Sequence, residues 1–212
     1  MTLPTSYRKG GAAIASYEFI DLATGRGVIP FYCGDAASGA KLLTTYQYYA
    51  TKGVTGLSGA AMTLDFDATL DRPMILDGTA TINVPVILGN DGGAPETVGT
   101  TVKGSVMHYD GTTLTTLTSG AALASQSVTN GTQVNKMATV HGAVARKKFR
   151  AGEILRIRVE TSAPGGNGHV SVGHDPKGRT SIDEDADDQL GLTGDWVFST
   201  QLIANIPVVI NL

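Results

Sequence analysis

Between Leu155 and Thr161 the chain alternates without a break: Leu155, Ile157, Val159 and Thr161 fall on one side, Arg156, Arg158 and Glu160 on the other. A side-chain period of two is that of a strand with one buried face and one charged face. Ala151-Gly152-Glu153 just before it reads as a turn, entered from Phe149. Shorter runs of the same kind predict strands over 13–20, 28–33, 41–49, 62–66, 79–88, 98–109, 112–117, 121–128, 137–149 and 169–173, with closing strands inside 196–212. Pro73 and Pro85 assign their segments to edges or bends, because proline donates nothing to a ladder. Gly53 to Ala61 reads as a glycine-rich loop, and Asp110-Gly111 as a two-residue hairpin turn.

About ten to twelve short strands separated by turn residues predict an all-β chain, an antiparallel β-sandwich of jelly-roll type. No segment holds a helical period and no repeat is visible. No shift of composition marks a boundary either, so one domain is expected over 11–212 behind a flexible polar arm at 1–10.

Composition narrows this reading rather than changing it. With 42% apolar residues among 212, the chain can bury a core, and only 17% are charged. The 27 glycines suit turns better than helices. A net charge of −3 gives no basic footprint for nucleic acid. No apolar stretch reaches a membrane-spanning length, and the opening residues lack the apolar run of a secretory signal. Neither nucleic acid nor membrane is therefore expected as a partner. The single cysteine, Cys33, has no internal disulfide partner and reads as a small buried apolar residue.

Candidate chemistry is sparse. Phosphate-loop, zinc-protease and dinucleotide motifs are all absent. Gly168-His169-Val170-Ser171-Val172-Gly173 has one residue too many before its serine for a nucleophile elbow, and it lies in a strand. His108, His141, His169 and His174 are scattered; only the last two are close in sequence and could form a metal pair, and strand histidines with ordinary hydrogen bonds are the simpler reading. The acidic run holding Asp183, Asp185, Asp187 and Asp188 has the oxygen density that calcium takes. It departs from the EF-hand pattern, with Asp188 where glycine is needed and Gly194 where the closing glutamate is needed, so a solvated loop stands beside the calcium reading. Arg146, Lys147 and Lys148 form a basic strand end that would meet an acidic partner or guard an edge. The tyrosines Tyr46, Tyr48 and Tyr49, with Trp196, would suit a carbohydrate-binding sandwich. With no nucleophile–base pair and no ligand set in view, no enzymatic activity and no obligatory cofactor are expected.

The run F-R-A-G-E-I-L-R-I-R-V-E from Phe149 resembles the turn and strand of jelly-roll domains, including those attached to some hydrolases. A hydrolase-associated domain would need a catalytic partner domain, for which 212 residues leave no room. The later G-H-D-P-K-G-R (Gly173 to Arg179), the terminal I-P-V-V-I-N-L and the early A-S-Y-E-F-I-D-L-A-T-G-R-G-V-I-P-F-Y are similar to structural proteins of tailed bacteriophages. That resemblance implies a non-enzymatic virion protein, a capsid decoration or head-associated protein assembled in the host cytoplasm. Its partners would be the major capsid protein or other virion proteins, and it would act as a homo-oligomer, a trimer by analogy. Tyr7, Arg8 and Lys9 of the arm and Arg146, Lys147 and Lys148 would be the protein contacts. A carbohydrate-binding or tail- or neck-associated β-sandwich is the alternative.

Overall fold

The structure is a computed structural model that describes residues 25–90, 92, 94–178, 181–182, 196–197 and 200–210. Among these residues there is no helix, and the strands run β1 (Arg26–Asp35), β2 (Lys41–Thr44), β3 (Val54–Ser58), β4 (Met62–Thr69), β5 (Met74–Asn90), β6 (Glu96–Tyr109) and β7 (Leu114–Val128). They continue with β8 (Thr132–Phe149), β9 (Ile154–Thr161), β10 (Gly168–Gly173), β11 (Ser181–Ile182), β12 (Trp196–Val197) and β13 (Ile203–Val209). Eleven of them make one open sheet in the order β3-β10-β5-β13-β1-β2-β4-β9-β6-β7, with β8 attached to β5; β11 and β12 pair separately. All described pairings are antiparallel except the single bridge between β2 and β4.

The alternation at 155–161 has the predicted consequence. β9 lies between β4 and β6. Its Leu155, Ile157 and Val159 are buried with Leu64 and Phe66 of β4 and Val102 and Val106 of β6. Its outer face meets opposite charges directly across the ladder: Arg156 opposite Asp67, Arg158 opposite Asp65, and Glu160 opposite Lys103. Arg156 Nε stands 2.7 Å from Asp67, Arg158 Nε 2.6 Å from Asp65, and Lys103 Nζ 3.1 Å from Glu160. The turn before β9 is pinned by Glu153, whose Oε2 accepts the Arg150 N–H and bonds His108 Nε2, each at 2.8 Å.

β5 is the other organiser. One of its edges pairs with β8 along its length, while the opposite edge takes β13 over its first part and β10 over its last. Pro85 stands between the stretch bonded to β13 and the stretch bonded to β10. That is where a missing N–H interrupts least on this edge, so a proline survives inside a paired strand. β6 lies across the core from β5 and β8: a side-chain atom at Gly104 would come within 3.4 Å of Ile82 and Val140.

Several sequence expectations are corrected. The tyrosine-rich segment is strand only over Lys41–Thr44. Beyond Thr44 the chain turns back against β1, where Gln47 donates to the Tyr32 hydroxyl and Tyr48 to the Asp35 carbonyl. The glycine-rich segment after Lys52 contains β3, paired to β10; glycine content concealed a short edge strand. Asp110-Gly111 is not a two-residue hairpin turn. Only glycines have positive φ among the described residues, which rules out the two positive-φ residues such a turn requires. Instead Asp110 Oδ1 accepts the N–H groups of Thr112 and Thr113 at 2.9 and 2.7 Å, closing a longer turn. Those bonds hold its carboxyl down at about 2. The two runs after it join as a single strand, β7. The arm at 1–10 and the predicted strand at 13–20 lie outside the described residues.

Candidate functional site

The densest buried polar grouping combines four separate segments: Asp35 at the end of β1, Lys41 at the start of β2, Thr55 in β3, and His174 just after β10. Asp35 is 4% exposed and His174 fully buried. Lys41 Nζ stands 2.7 Å from each oxygen of Asp35 and donates to Thr55 Oγ1 at 2.9 Å. Thr55 Oγ1 is in turn in a short hydrogen bond with His174 Nε2.

The donors determine the protonation pattern. An ammonium has hydrogens only to give, so Thr55 accepts from Lys41 and directs its own hydrogen to His174 Nε2. His174 is thus a neutral ring protonated on Nδ1. Burial is the main reason that its pKa drops to about 4, with the Lys41 charge acting in the same direction and Asp35 and Asp175 opposing. Its Nδ1 faces Asp35 Oδ1 at 3.7 Å, beyond hydrogen-bond reach. Phe66 packs against the ring, centroids 6.0 Å apart.

The turn His174-Asp175-Pro176-Lys177-Gly178 holds this grouping in place. The His174 N–H bonds Gly53 O, the Asp175 N–H bonds Thr200 O, and the Lys177 N–H bonds Tyr48 O, at 2.8 to 2.9 Å. Asp175 Oδ1 accepts from Ala50 and Lys177 N–H groups, each at 3.2 Å. Gly34 makes this approach possible, since a Cβ there would lie 2.6 Å from Pro176 Cδ and 2.8 Å from the Tyr48 hydroxyl. Tyr48 donates to Asp35 O at 3.3 Å, and burial, then the Asp35 and Asp175 charges, push its phenol pKa up. Outside this layer Tyr46 and Tyr49 remain exposed, and the Lys177 ammonium sits 4.8 Å from the centroid of Tyr49.

Hydroxyl, imidazole and carboxylate follow one another here in the order of a hydrolytic relay. Two features separate the grouping from a working relay: Lys41 holds the hydroxyl oxygen, and the imidazole–carboxylate link is too long. A substrate would reach it only past Lys41 and Thr55, because His174 is sealed. What the geometry does directly is lock β1, β2, β3 and the 174–178 turn together beneath Tyr49 and Lys177.

The residues singled out from sequence are dispersed. Arg146 and Lys148 are exposed on β8 and Lys147 half-buried, far along the chain from any second cluster; Arg146 and Arg26 reach Asp77 only at 4.0 and 3.8 Å. Asp183, Asp185, Asp187 and Asp188, and Tyr7, Arg8 and Lys9, lie outside the described residues. Among the described residues no three of His, Cys, Asp or Glu gather as a metal site. His169 and Ser171 lie within the buried strand β10. Cys33 is fully buried, and burial alone pushes its thiol well up. Asp35, Lys41 and Thr55 carry no sequence signal, since their contact is made entirely by folding; only the histidine after a Gly-terminated strand marked the place.

No protein-family model and no curated protein matches the sequence. Among solved structures, an α-amino acid ester hydrolase is similar over 85% of this chain and 36% of its own, at 9% identity and a TM-score of 0.52. A CocE/NonD family hydrolase from Staphylococcus aureus is similar over 85% and 37%, at 10% identity and a TM-score of 0.48. An aminopeptidase from a Thaumarchaeota archaeon is similar over 69% and 26%, at 7% identity and a TM-score of 0.40. This chain therefore spans little more than a third of the length of the two hydrolases. At such identity the first of these likenesses is one of fold. It corrects the expectation of a non-enzymatic virion protein, decoration or head-associated, together with its carbohydrate-binding and tail or neck alternative: the fold is similar to part of an α-amino acid ester hydrolase.

Proposed function

We propose, in place of the expectation that 212 residues leave no room for the catalytic partner of a hydrolase-associated domain, that this chain is a β-module of that type, which works beside a separate catalytic unit cleaving ester or amide bonds. The observation that carries this reading is the asymmetric likeness to the α-amino acid ester hydrolase, covering most of this chain and about a third of that one. In this reading the sheet is a β-sandwich of jelly-roll type. The support is that β6 lies over β5 and β8 across one continuous core. The module's share of the work is positional. The Asp35–Lys41–Thr55–His174 lock keeps the Tyr46, Tyr49 and Lys177 surface rigid, so that it can face the catalytic unit or the mouth of its site.

An assay of the full chain alone against an α-amino acid ester and an amino-acid anilide tests this. The expected result is no turnover above buffer, unchanged in Thr55→Val. Turnover that Thr55→Val abolishes, while the variant keeps its melting temperature, would replace the module reading with one in which Thr55 and His174 are themselves the catalytic pair.

A further inference from the structure

Two long strands present an edge without a ladder partner among the described residues, and they are built in opposite ways. β8 pairs only with β5, and β7 only with β6 at the end of the sheet. β8 carries Lys136, Arg146, Lys147 and Lys148. Lysine and arginine along an edge repel a second copy of the same edge. β7 has none of this protection: from Gly111 to Asn135 there is no charged residue, and from Glu96 to Ala163 no proline. The opposite end of the sheet, β3, is only 5 residues long, a second common way of blunting an edge.

The second half of β7 is the more regular part of this edge. Its ladder with β6 is interrupted around Leu117, where the register shifts between Val106 and Met107. At Gly120 it crosses β8 so closely that a Cβ would stand 2.4 Å from His141 O. Beyond that crossing, Ala121, Leu123, Ser125 and Ser127 alternate along the strand, and all four are exposed. Leu123 is 74% exposed, the most of the large apolar side chains among the described residues. Seven regular, uncharged residues with one prominent leucine thus form an edge at 121–127 that has no ladder partner besides β6 among the described strands, although β8 packs against β7.

We propose that the 121–127 edge of β7 is a self-association surface, on which a second copy of this chain adds its own β7 antiparallel across a two-fold axis. The second copy is the occupant that the charges select. β7 meets β7 with no like-charge contact, whereas β8 against β8 would bring two rows of cations together. An isologous pair of this kind closes on itself and leaves no further β7 edge to extend a fibre. A two-fold near Ala124 places both Leu123 side chains on the same face of the joined sheet, within diagonal cross-strand contact. The inference is independent of the hydrolase-module reading.

Sedimentation of the full chain over a concentration series tests it, with hydrogen exchange of the same samples. The expected species at high concentration has twice the 22.0 kDa mass of the chain, and the 121–127 amides slow in exchange as the dimer forms. Leu123→Lys and Ser125→Lys should each weaken the dimer about tenfold or more, without lowering the melting temperature of the dilute protein. A wild-type chain that stays monomeric overturns the proposal. So does a dimer indifferent to both lysines, or concentration-independent protection of 121–127 in a monomer, which would mean that another part of the same chain covers the edge.

Discussion

The molecule holds two ionic groupings of similar membership and opposite setting. On the outer face of β4 and β9, Asp65, Asp67, Arg156 and Arg158 form a half-exposed lattice of paired charges. Beneath the 174–178 turn, Asp35 and Lys41 are paired in a nearly dry site with Thr55 and His174. Solvent can take over from any member lost from the first grouping. In the second it reaches Lys41, whose side chain is 21% exposed, but not Asp35 or His174, so removing a partner there leaves a sealed polar group unpaired. The comparison teaches that the number of ion pairs says little about their weight; what decides is whether water can replace them.

The largest break in this comparison is Asp35→Ala. It leaves the Lys41 ammonium without its carboxylate, and a loss of about 3–5 kcal/mol is expected in denaturant unfolding. A loss under about 1 kcal/mol, as at a surface pair, would mean that water enters the site and the contrast does not hold.

Acid sharpens the contrast through the order in which the two groupings fail. His174 has a folded pKa of about 4, below its ordinary 6.5. Between those values the unfolded chain binds the extra proton and the folded one does not, so stability rises with pH across the window and is lost as pH falls from 6.5 to 4. Asp65 is lowered chiefly by its hydrogen bond from Arg158. Its contribution is present above 3.8 and disappears only as pH falls further through its folded value. Melting temperature followed against pH should therefore begin to fall below 6.5, and His174→Gln should flatten that first limb while keeping the second. A wild-type curve level down to pH 4 would refute the assignment of a neutral buried His174.

The smallest effect belongs to the surface lattice. Arg158→Ala should cost about 1 kcal/mol or less, and that cost should shrink in high salt. The Asp35→Ala cost should respond less to salt, because the Asp35 carboxylate it removes is sealed from solvent. Equal salt dependence for the two variants would erase the distinction.

The basic half of the surface lattice was legible in the sequence. Leu155, Ile157 and Val159 against Arg156, Arg158 and Glu160 specify a strand and its two faces, since a strand's side-chain geometry is local. Of the acidic partners on β4, Asp65 falls within the strand expected over 62–66 and Asp67 just beyond it, and nothing in the sequence pairs either with β9. The buried grouping was not legible. Thr55 stands in a stretch whose glycines suggest a loop, and it becomes a strand residue only because β10 offers it an edge. His174 attracted notice as a member of a histidine pair, but nothing nearby in sequence points to Asp35 or Lys41.

What the sequence alone determined, then, is the all-β character, most strand positions and the inward or outward sense of residues within them. These come from backbone period, turn chemistry and the need to bury alternate side chains, all of which act over a few neighbours. Only the tertiary structure decided strand order, the change of partner along β5 at Pro85, the blunted and open edges, and the meeting of Asp35, Lys41, Thr55 and His174. Those depend on which distant segments exclude water from one another. A polar side chain in a sequence carries no mark of whether water will still reach it once the sheet has closed over it.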